Sequence, residues 1–220
     1  KVKARELGKL GASVTIIGRN AANGEGVVRE LRQAAMHERV SFVQADLENQ
    51  KGVRAAAAAI KACGKRLDVL LNNAGAMFQK RQLTEDGIEK TFALNHLGYF
   101  LLTHELLELL KASGPSRVVN VASGAHQPAK LNLSDLQNEK RYSGWVAYGQ
   151  SKLANIYFTY ELARRLEGTG VTANCLHPGF VASRFGDNNG GLVKVAIGFA
   201  KSTFAISEDD GAKTSVYLAS

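Results

Sequence analysis

The sequence predicts an α/β fold in which a doubly wound parallel sheet is covered by helices on both faces, giving three αβα layers of Rossmann-like type. Two observations support this prediction. Short β-branched segments alternate strictly with amphipathic segments along the chain, and no linker or change of composition divides the 220 residues. We therefore expect residues 1–220 to form a single domain, with ligands bound at the carboxyl ends of the strands.

The elements follow in a regular order. The chain opens with a predicted helix over residues 1–10. Strands are predicted over residues 14–17, 40–44, 67–71, 117–121 and 171–176, and the later helices over 23–36, 49–63, 87–111, 145–167 and 209–218. Two connections, 124–144 and 183–207, are unusually long for a compact domain, so we expect them to form the rim of a substrate site.

The composition excludes several classes of protein. The hydrophobic content of 45% and charged content of 22% are typical of a soluble globular protein. Two distant cysteines, Cys63 and Cys175, lack metal-ligand spacing and predict a reducing, cytoplasmic environment without a disulfide framework or bound metal. This stretch contains no signal peptide and no apolar run of about 18 residues. The net charge of +8 is dispersed, so we expect no nucleic-acid partner.

Tyr148 and Lys152 are the residues around which the chemistry is predicted. Both lie in the helix predicted over 145–167, and residues four apart on a helix share one face. A nearby ammonium favours the phenolate, so we expect Lys152 to lower the pKa of Tyr148 towards a value useful for proton transfer. The alternative is a half-buried structural tyrosine beside an exposed lysine.

Six motifs in order resemble the short-chain dehydrogenase/reductase family, and most closely its retinol-dehydrogenase-like branch. The motifs cover nearly the whole chain and are Asp46-Leu47, Asn72-Asn73-Ala74-Gly75, Asn95-His96-Leu97-Gly98, Val119-Asn120-Val121-Ala122-Ser123, Tyr148-Gly149-Gln150-Ser151-Lys152 and His177-Pro178-Gly179-Phe180-Val181-Ala182-Ser183. Any one of them is a weak signal. Their common order, with each at a strand end or a helix start, is a strong one.

The resemblance implies a catalytic tetrad of Asn95, Ser123, Tyr148 and Lys152. In the family the serine hydroxyl binds the substrate oxygen and the tyrosine gives or takes the proton. The lysine depresses the tyrosine pKa and holds the nicotinamide ribose, and the asparagine holds a water that connects the lysine to solvent. Asparagine is also a mediocre residue inside a helix, which independently suggests a role for Asn95. A merely exposed or helix-bending asparagine is the alternative.

The resemblance also implies a set of cofactor-binding residues. Asp46 and Leu47 would contact the adenine ring, although Asp46 could equally be a helix N-cap. Small residues let a backbone approach a ligand closely, so the segment Asn73-Ala74-Gly75 would line the cleft, or form a simple left-handed turn. The remaining implied cofactor residues are Tyr148, Lys152, Pro178, Gly179, Val181 and Ser183.

The choice of nicotinamide cofactor can be predicted from charge. An acidic residue after the first strand binds the ribose 2′-hydroxyl of NAD, whereas an arginine there suits a 2′-phosphate. The sequence has Ile17-Gly18-Arg19-Asn20 at this place. We therefore predict NADP(H), with Arg19 contacting the phosphate; a surface arginine without that role is the alternative.

Two parts of the family pattern lie outside the sequence. The first strand with its glycine-rich phosphate loop is expected before Lys1, and the final strand after Ser220. Because the first strand is central in the doubly wound order, its loss would leave open hydrogen-bonding edges on the strands beside it. We expect a fragment of a longer protein, truncated at both ends.

The predicted function is an oxidoreductase that transfers a hydride between NADP(H) and a carbonyl or alcohol substrate. The 183–207 rim is rich in apolar side chains, which favours a small to medium hydrophobic substrate: Phe185, Leu192, Val195, Ile197, Phe199 and Phe204. The sequence is also compatible with a homo-oligomer. Two alternatives are a catalytically inactive cofactor-binding sensor or scaffold of the same fold and a basic nucleic-acid module.

Overall fold

The computed structural model of the protein describes residues 1–64, 66–181 and 206–220. The helices are α1 (Val2–Lys9), α2 (Ala21–Ala35), α3 (Gln50–Cys63), α4 (Lys90–Phe92), α5 (Gly98–Ser113), α6 (Gly144–Arg165) and α7 (Glu208–Ala219). A π-helical segment, Ala93–Leu97, joins α4 to α5, and a short 3-10 helix covers Gly124–His126. The strands are β1 (Val14–Gly18), β2 (Val40–Gln44), β3 (Val69–Asn72), β4 (Ser116–Val121) and β5 (Val171–Leu176).

All strand pairs among the described residues are parallel, which confirms the predicted α/β class. β1 pairs with β2, from Val14 opposite Val40 to Gly18 opposite Gln44. β3, β4 and β5 form a second ladder in that order, with β4 in the middle. Between β1 and β3 no ladder is formed within the described ranges, which agrees with the expected absence of the strand that is central in this fold.

Helices cover the sheet from two sides. On one side α1 contacts both α2 and α7, and on the other α3 contacts α5. The main core is fully buried on the latter side, where Leu106 and Leu110 of α5 pack with Val118 of β4. Each such aliphatic side chain contributes about 1.5–3 kcal/mol by leaving water. The same burial holds the carboxyl ends of β3 and β4 in a fixed position.

The helix predicted over 87–111 is instead divided into three parts. The Glu89 carboxylate accepts the backbone N–H groups of Thr91 and Phe92, both at 2.8 Å, so the helix begins only at Lys90. One residue inserted into the following turn then gives the π-helical segment Ala93–Leu97. Hydrophobic periodicity does not reveal such an insertion, because π-turns depend on tertiary contacts.

The connection predicted over 124–144 is confirmed, since α6 begins at Gly144. It is held against the body of the protein by side chains. The Gln150 side-chain oxygen accepts from the Asn138 amide and its nitrogen donates to the Lys130 carbonyl, both at 3.0 Å. The Tyr142 hydroxyl donates to the Phe78 carbonyl at 2.8 Å. The apolar rim residues predicted over 183–207 lie outside the described residues. Among the described helices, none has the length and apolar character needed to cross a bilayer.

Candidate active site

The predicted site residues come from separate elements that end at one edge of the sheet. Arg19 follows β1, Asp46 and Leu47 follow β2, and Asn73 follows β3. Ser123 follows β4. Because parallel strands point the same way, their carboxyl ends lie together, and the residues after them share one cleft. Tyr148 and Lys152 reach this cleft from the buried face of α6.

Ser123 and Tyr148 are hydrogen-bonded to each other through their side chains. The serine hydroxyl also accepts the backbone N–H of Ala125 at 3.3 Å, which fixes it at the start of the 3-10 helix. Tyr148 is only 7% exposed, and its ring stacks on that of Trp145 with the ring centroids 6.2 Å apart. The two hydroxyl groups can therefore contact one substrate oxygen together.

Lys152 is buried beside this pair, with only 3% of the residue exposed. Its ammonium donates to the Val121 carbonyl at 2.9 Å and lies over the Tyr99 ring at 5.3 Å. Burial, with a smaller contribution from the positive charge of Lys3, lowers the pKa of Lys152 from 10.5 to about 7. The predicted alternative, an exposed lysine, is therefore wrong.

The expectation that Lys152 lowers the pKa of Tyr148 is also wrong in this structure. Burial raises the pKa of Tyr148, and the hydrogen bond from Ser123 opposes that rise. Lys152 lies 5.8 Å from the ring centroid and is itself close to half deprotonated near pH 7, because its pKa is about 7. A cation that loses its own charge on burial gives little support to a neighbouring phenolate.

Asn95 is fully buried in the π-helical segment and uses both ends of its side chain. Its amide donates to the Ala76 carbonyl at 2.9 Å and to the Ser151 hydroxyl at 3.0 Å, while its oxygen accepts the Ala76 N–H at 2.9 Å. Asn95 therefore ties the segment after β3 to α6. The alternative of an exposed asparagine is wrong.

The segment after β3 fits a close approach by a ligand. A Cβ added at Gly75 would lie 3.1 Å from the Asn95 oxygen and 3.4 Å from the Lys152 ammonium. The absence of a side chain there keeps space open in front of both groups. Beside it, the Asn73 oxygen accepts the Lys3 ammonium at 2.6 Å, and burial lowers the pKa of Lys3 to about 8. Small residues and nearby cations suit a phosphorylated cofactor, so the residues present fit a nicotinamide dinucleotide.

Arg19 lies at the end of β1 with a carboxylate beside it. Its guanidinium donates to Glu48 at 2.6 Å, although 61% of the arginine side chain is exposed. Glu48 is nearly buried and accepts a second cation, the Lys90 ammonium, at 3.1 Å. Arg19, Glu48 and Lys90 together carry a net positive charge. Glu48 pairs with one nitrogen of the Arg19 guanidinium, and much of the side chain remains exposed to solvent.

Asp46 does not cap the helix that follows it, so that alternative is wrong. The N-cap of α3 is Asn49, whose side chain accepts the Gly52 N–H at 2.7 Å. The Asp46 carboxylate instead accepts the Glu48 N–H at 2.9 Å and shapes the turn between β2 and α3. Leu47 packs against the main core. Both residues lie just beyond the carboxyl end of β2, at the edge of the sheet.

The segment after β5 reaches the same edge. Gly179, which follows Pro178, has a positive φ of 80°, and Val181 forms a parallel bridge with Ile206. Ser183 lies outside the described residues.

The sequence interpretation missed several residues that support this cleft. Glu48, Ser151 and Asn155 are all buried and polar, and each contacts a predicted site residue. Helical spacing could have found Ser151 and Asn155, since they lie on the same face of α6 as Tyr148 and Lys152. No local pattern indicates Glu48, because its partners come from other elements.

Comparison with known proteins shows similarity over the whole chain. The sequence model of the family described as short chain dehydrogenase matches residues 1–190. Retinol dehydrogenase 12 of Mus musculus is 46% identical over 219 residues, covering 100% of this chain and 69% of that protein. Retinol dehydrogenase 11 of Homo sapiens is 48% identical over 183 residues, covering 83% of this chain and 58% of that protein. A crystal structure of a protein from Mycobacterium paratuberculosis, 39% identical, superposes with a TM-score of 0.78 and covers 100% of this chain and 71% of that one.

Proposed function

This chain belongs to the short-chain dehydrogenase family, whose members are oxidoreductases that use a nicotinamide cofactor, and we propose that it transfers hydride between NADP(H) and an apolar carbonyl or alcohol substrate. The observation that carries the proposal is the hydrogen-bonded pair of Ser123 and Tyr148 with Lys152 buried beside it. The bound cofactor supplies or accepts the hydride, and the protein orients the substrate and moves the proton.

Tyr148 is the general acid when a carbonyl is reduced. Its raised pKa keeps the phenol protonated at neutral pH, so it can donate a proton to the substrate oxygen as the carbonyl carbon becomes an alcohol carbon. Ser123 hydrogen-bonds to the same oxygen and stabilises the negative charge that develops on it. In the oxidation direction the Tyr148 phenol must first lose its own proton, for which the nearby Lys152 is the proton acceptor, and the phenolate then takes the proton of the substrate hydroxyl.

Lys152 and Asn95 support that proton transfer. With a pKa of about 7, Lys152 can exchange protons near neutral pH and can also donate to a cofactor ribose hydroxyl. Asn95, bonded to Ala76 and Ser151, fixes the wall beside the ammonium. In the tetrad that the family implies, it would also hold the water that links Lys152 to solvent. Both are part of the proposed tetrad.

The cofactor is held along the carboxyl edge of the sheet. In this proposal Arg19 contacts the 2′-phosphate of NADP(H), and its exposed, partly tethered guanidinium supports that role. Asp46 and Leu47 flank the adenine, Asn73-Ala74-Gly75 lines the cleft, and Tyr148 and Lys152 meet the nicotinamide ribose. The segment Pro178, Gly179, Val181 and Ser183 orients the nicotinamide and pyrophosphate.

The substrate class follows from the relatives and from the predicted rim. Relatives over 40% identical carry the name retinol dehydrogenase, which supports a hydrophobic aldehyde or primary alcohol such as a retinoid. The free thiols Cys63 and Cys175 support a reducing compartment. We therefore propose a cytoplasmic location, and we also propose that residues 1–220 form a single domain.

The deciding experiment measures NADPH oxidation with a panel of apolar aldehydes. We expect the Tyr148→Phe variant to lose at least 100-fold in kcat, in keeping with the usual contribution of a general acid. NADPH affinity should stay within about threefold, because the phenyl ring still packs in place.

Tyr160→Phe is the matched control, since this tyrosine lies on the same helix but is 69% exposed. It should retain wild-type turnover. Tight NADPH binding without turnover in the wild type would favour the inactive sensor or scaffold. Unchanged turnover in Tyr148→Phe would refute the proposed acid.

A further inference from the structure

Asn155 is a fully buried side chain one turn beyond Ser151 on the inner face of α6. Its amide nitrogen donates to the main-chain carbonyl of Asn95 at 2.8 Å, and its oxygen lies 3.0 Å from Nδ1 of His96. A single side chain of α6 therefore holds two consecutive residues of the π-helical segment. Neither contact involves the substrate cleft directly.

These two contacts fix the hydrogen positions. A carbonyl oxygen can only accept, so the amide nitrogen of Asn155 must face Asn95 and the amide oxygen must face His96. His96 must then carry its proton on Nδ1 and donate it. Burial lowers the pKa of His96, which keeps the ring neutral and leaves a single proton to be placed. The ring packs against Phe92 at 5.1 Å and Phe158 at 6.2 Å, so its orientation is fixed as well.

The π-helical segment needs such support. Its defining bond runs from the Gly98 N–H to the Ala93 carbonyl, five residues back, and this insertion is less favourable than a continuous α-helix. The extra residue decides in which direction the Asn95 side chain points. In the observed register that side chain meets Ala76 and Ser151, next to Lys152.

Asn155 is itself held in place by buried hydrogen bonds that extend to strands β4 and β3. The Thr159 hydroxyl donates to the Asn155 main-chain carbonyl at 2.6 Å and accepts from Asn120 of β4 at 2.9 Å. The side chain of Asn72, on β3, donates both to Asn120 at 2.8 Å and to Thr103 at 3.0 Å. All of these groups are buried, and satisfied buried polar networks give rigid, unique geometry.

We propose that Asn155, together with His96, is a positioning residue that keeps the 93–97 segment in its π-helical register, and thereby keeps Asn95 in place beside Lys152. The proposal rests on the function proposed above for its effect on turnover. Its effect on local structure stands independently. Among the described residues the hydrogen bonds of the Asn155 side chain go to Asn95 and His96 and not to Ser123, Tyr148 or Lys152, so we expect it to act through Asn95.

The test uses two single variants, Asn155→Leu and His96→Phe, each made separately. Leucine removes both hydrogen bonds while keeping the same number of side-chain heavy atoms and the same branching, whereas phenylalanine removes only the donor to Asn155 and keeps the aromatic packing. Thr103→Val is the matched control, because Thr103 is equally buried and belongs to the same network but contacts Asn72 instead of the π-helical segment.

Two readouts are measured on each protein. Hydrogen exchange of a peptide covering residues 93–98 should be at least about tenfold faster in Asn155→Leu, severalfold faster in His96→Phe and unchanged in Thr103→Val. The kcat for aldehyde reduction should fall by at least about tenfold in Asn155→Leu, with NADPH affinity and KM within about threefold of wild type.

Exchange in residues 93–98 that is the same in Asn155→Leu as in Thr103→Val would overturn the proposal, and so would normal kcat in a folded Asn155→Leu protein. If Asn155→Leu does not fold, His96→Phe decides by the same comparison against Thr103→Val. A wild-type protein without turnover would refute the proposed function alone, because the exchange measurement would still decide whether Asn155 holds the segment.

Discussion

Replacing Lys152 by methionine removes a cation that the fold buries at a cost. The unfolded chain holds this lysine with its ordinary pKa of 10.5, whereas burial lowers the pKa in the folded protein to about 7. Between these two values the folded state binds fewer protons than the unfolded state. The free energy of unfolding of the wild type must therefore rise with pH across this window.

The size of the effect follows from the two pKa values. A difference of about 3.5 in pKa corresponds to about 5 kcal/mol. Below pH 7 the folded protein pays this whole free energy for burying the charged ammonium, and above pH 10.5, where the lysine is neutral in both states, the cost disappears. Methionine keeps most of the buried volume but loses the bond to the Val121 carbonyl, which costs about 1 kcal/mol. We expect Lys152→Met to be more stable than the wild type by about 2–4 kcal/mol at pH 6, and equal or less stable at pH 10.

Urea unfolding followed by circular dichroism at pH 6, 7, 8, 9 and 10 measures this difference. Lys3, whose pKa is lowered by its own burial, is present in both proteins, so the cost of burying it is common to the two stability curves. Lys51→Met is the control, because Lys51 is exposed on α3 and its removal should leave the pH dependence unchanged. Parallel stability curves for wild type and Lys152→Met would refute the reasoning, since they would mean that Lys152 is not titrating between pH 7 and 10.

Two further predictions concern the cofactor and the packing of α2. Arg19→Ala should raise the dissociation constant of NADPH by at least about tenfold and leave that of NADH nearly unchanged, because only NADPH carries the 2′-phosphate; equal losses by calorimetry would show the assignment to be wrong. Gly24→Ala should destabilise the protein by about 1–3 kcal/mol in thermal unfolding, because the added Cβ would lie 2.4 Å from the Phe42 ring. At Gly26, two residues further along the same helix, an added Cβ would meet only the end of the flexible Arg29 side chain at 4.0 Å. Gly26→Ala should therefore stabilise the protein by about 0.5–1 kcal/mol, so a loss of the same size at both positions would contradict the argument.

The parts of the structure that the sequence predicted are those coded by local periodicity. The short β-branched segments over 40–44 and 171–176 predicted strands whose bounds the structure reproduces. The motif order likewise placed Ser123 after β4 and Tyr148 near the start of α6. These features depend on neighbours within one or two turns, and side-chain spacing along the chain records such neighbours directly.

The predictions that were wrong depended on contacts between distant segments. Asp46 was a reasonable N-cap by residue type, but the turn leaves that position to Asn49. The lowered pKa predicted for Tyr148 followed from its spacing to Lys152, yet burial of the phenol raises this pKa, and burial of Lys152 lowers the pKa of the ammonium. Burial is a property of the whole fold, so spacing along one helix does not determine it.

The sequence by itself determined that strands and helices alternate, that their carboxyl ends carry the family's motifs, and that a phenol and an ammonium lie one turn apart. Only the tertiary structure decided that burial lowers the pKa of Lys152 to about 7 and that Glu48 pairs with Arg19. It also decided that Asn155 bonds to Asn95 and His96 within the π-helical segment. The physical reason is that desolvation and hydrogen bonds join residues 29–60 positions apart in the chain. Their free energies are set by the surroundings that the fold creates and not by adjacent residues.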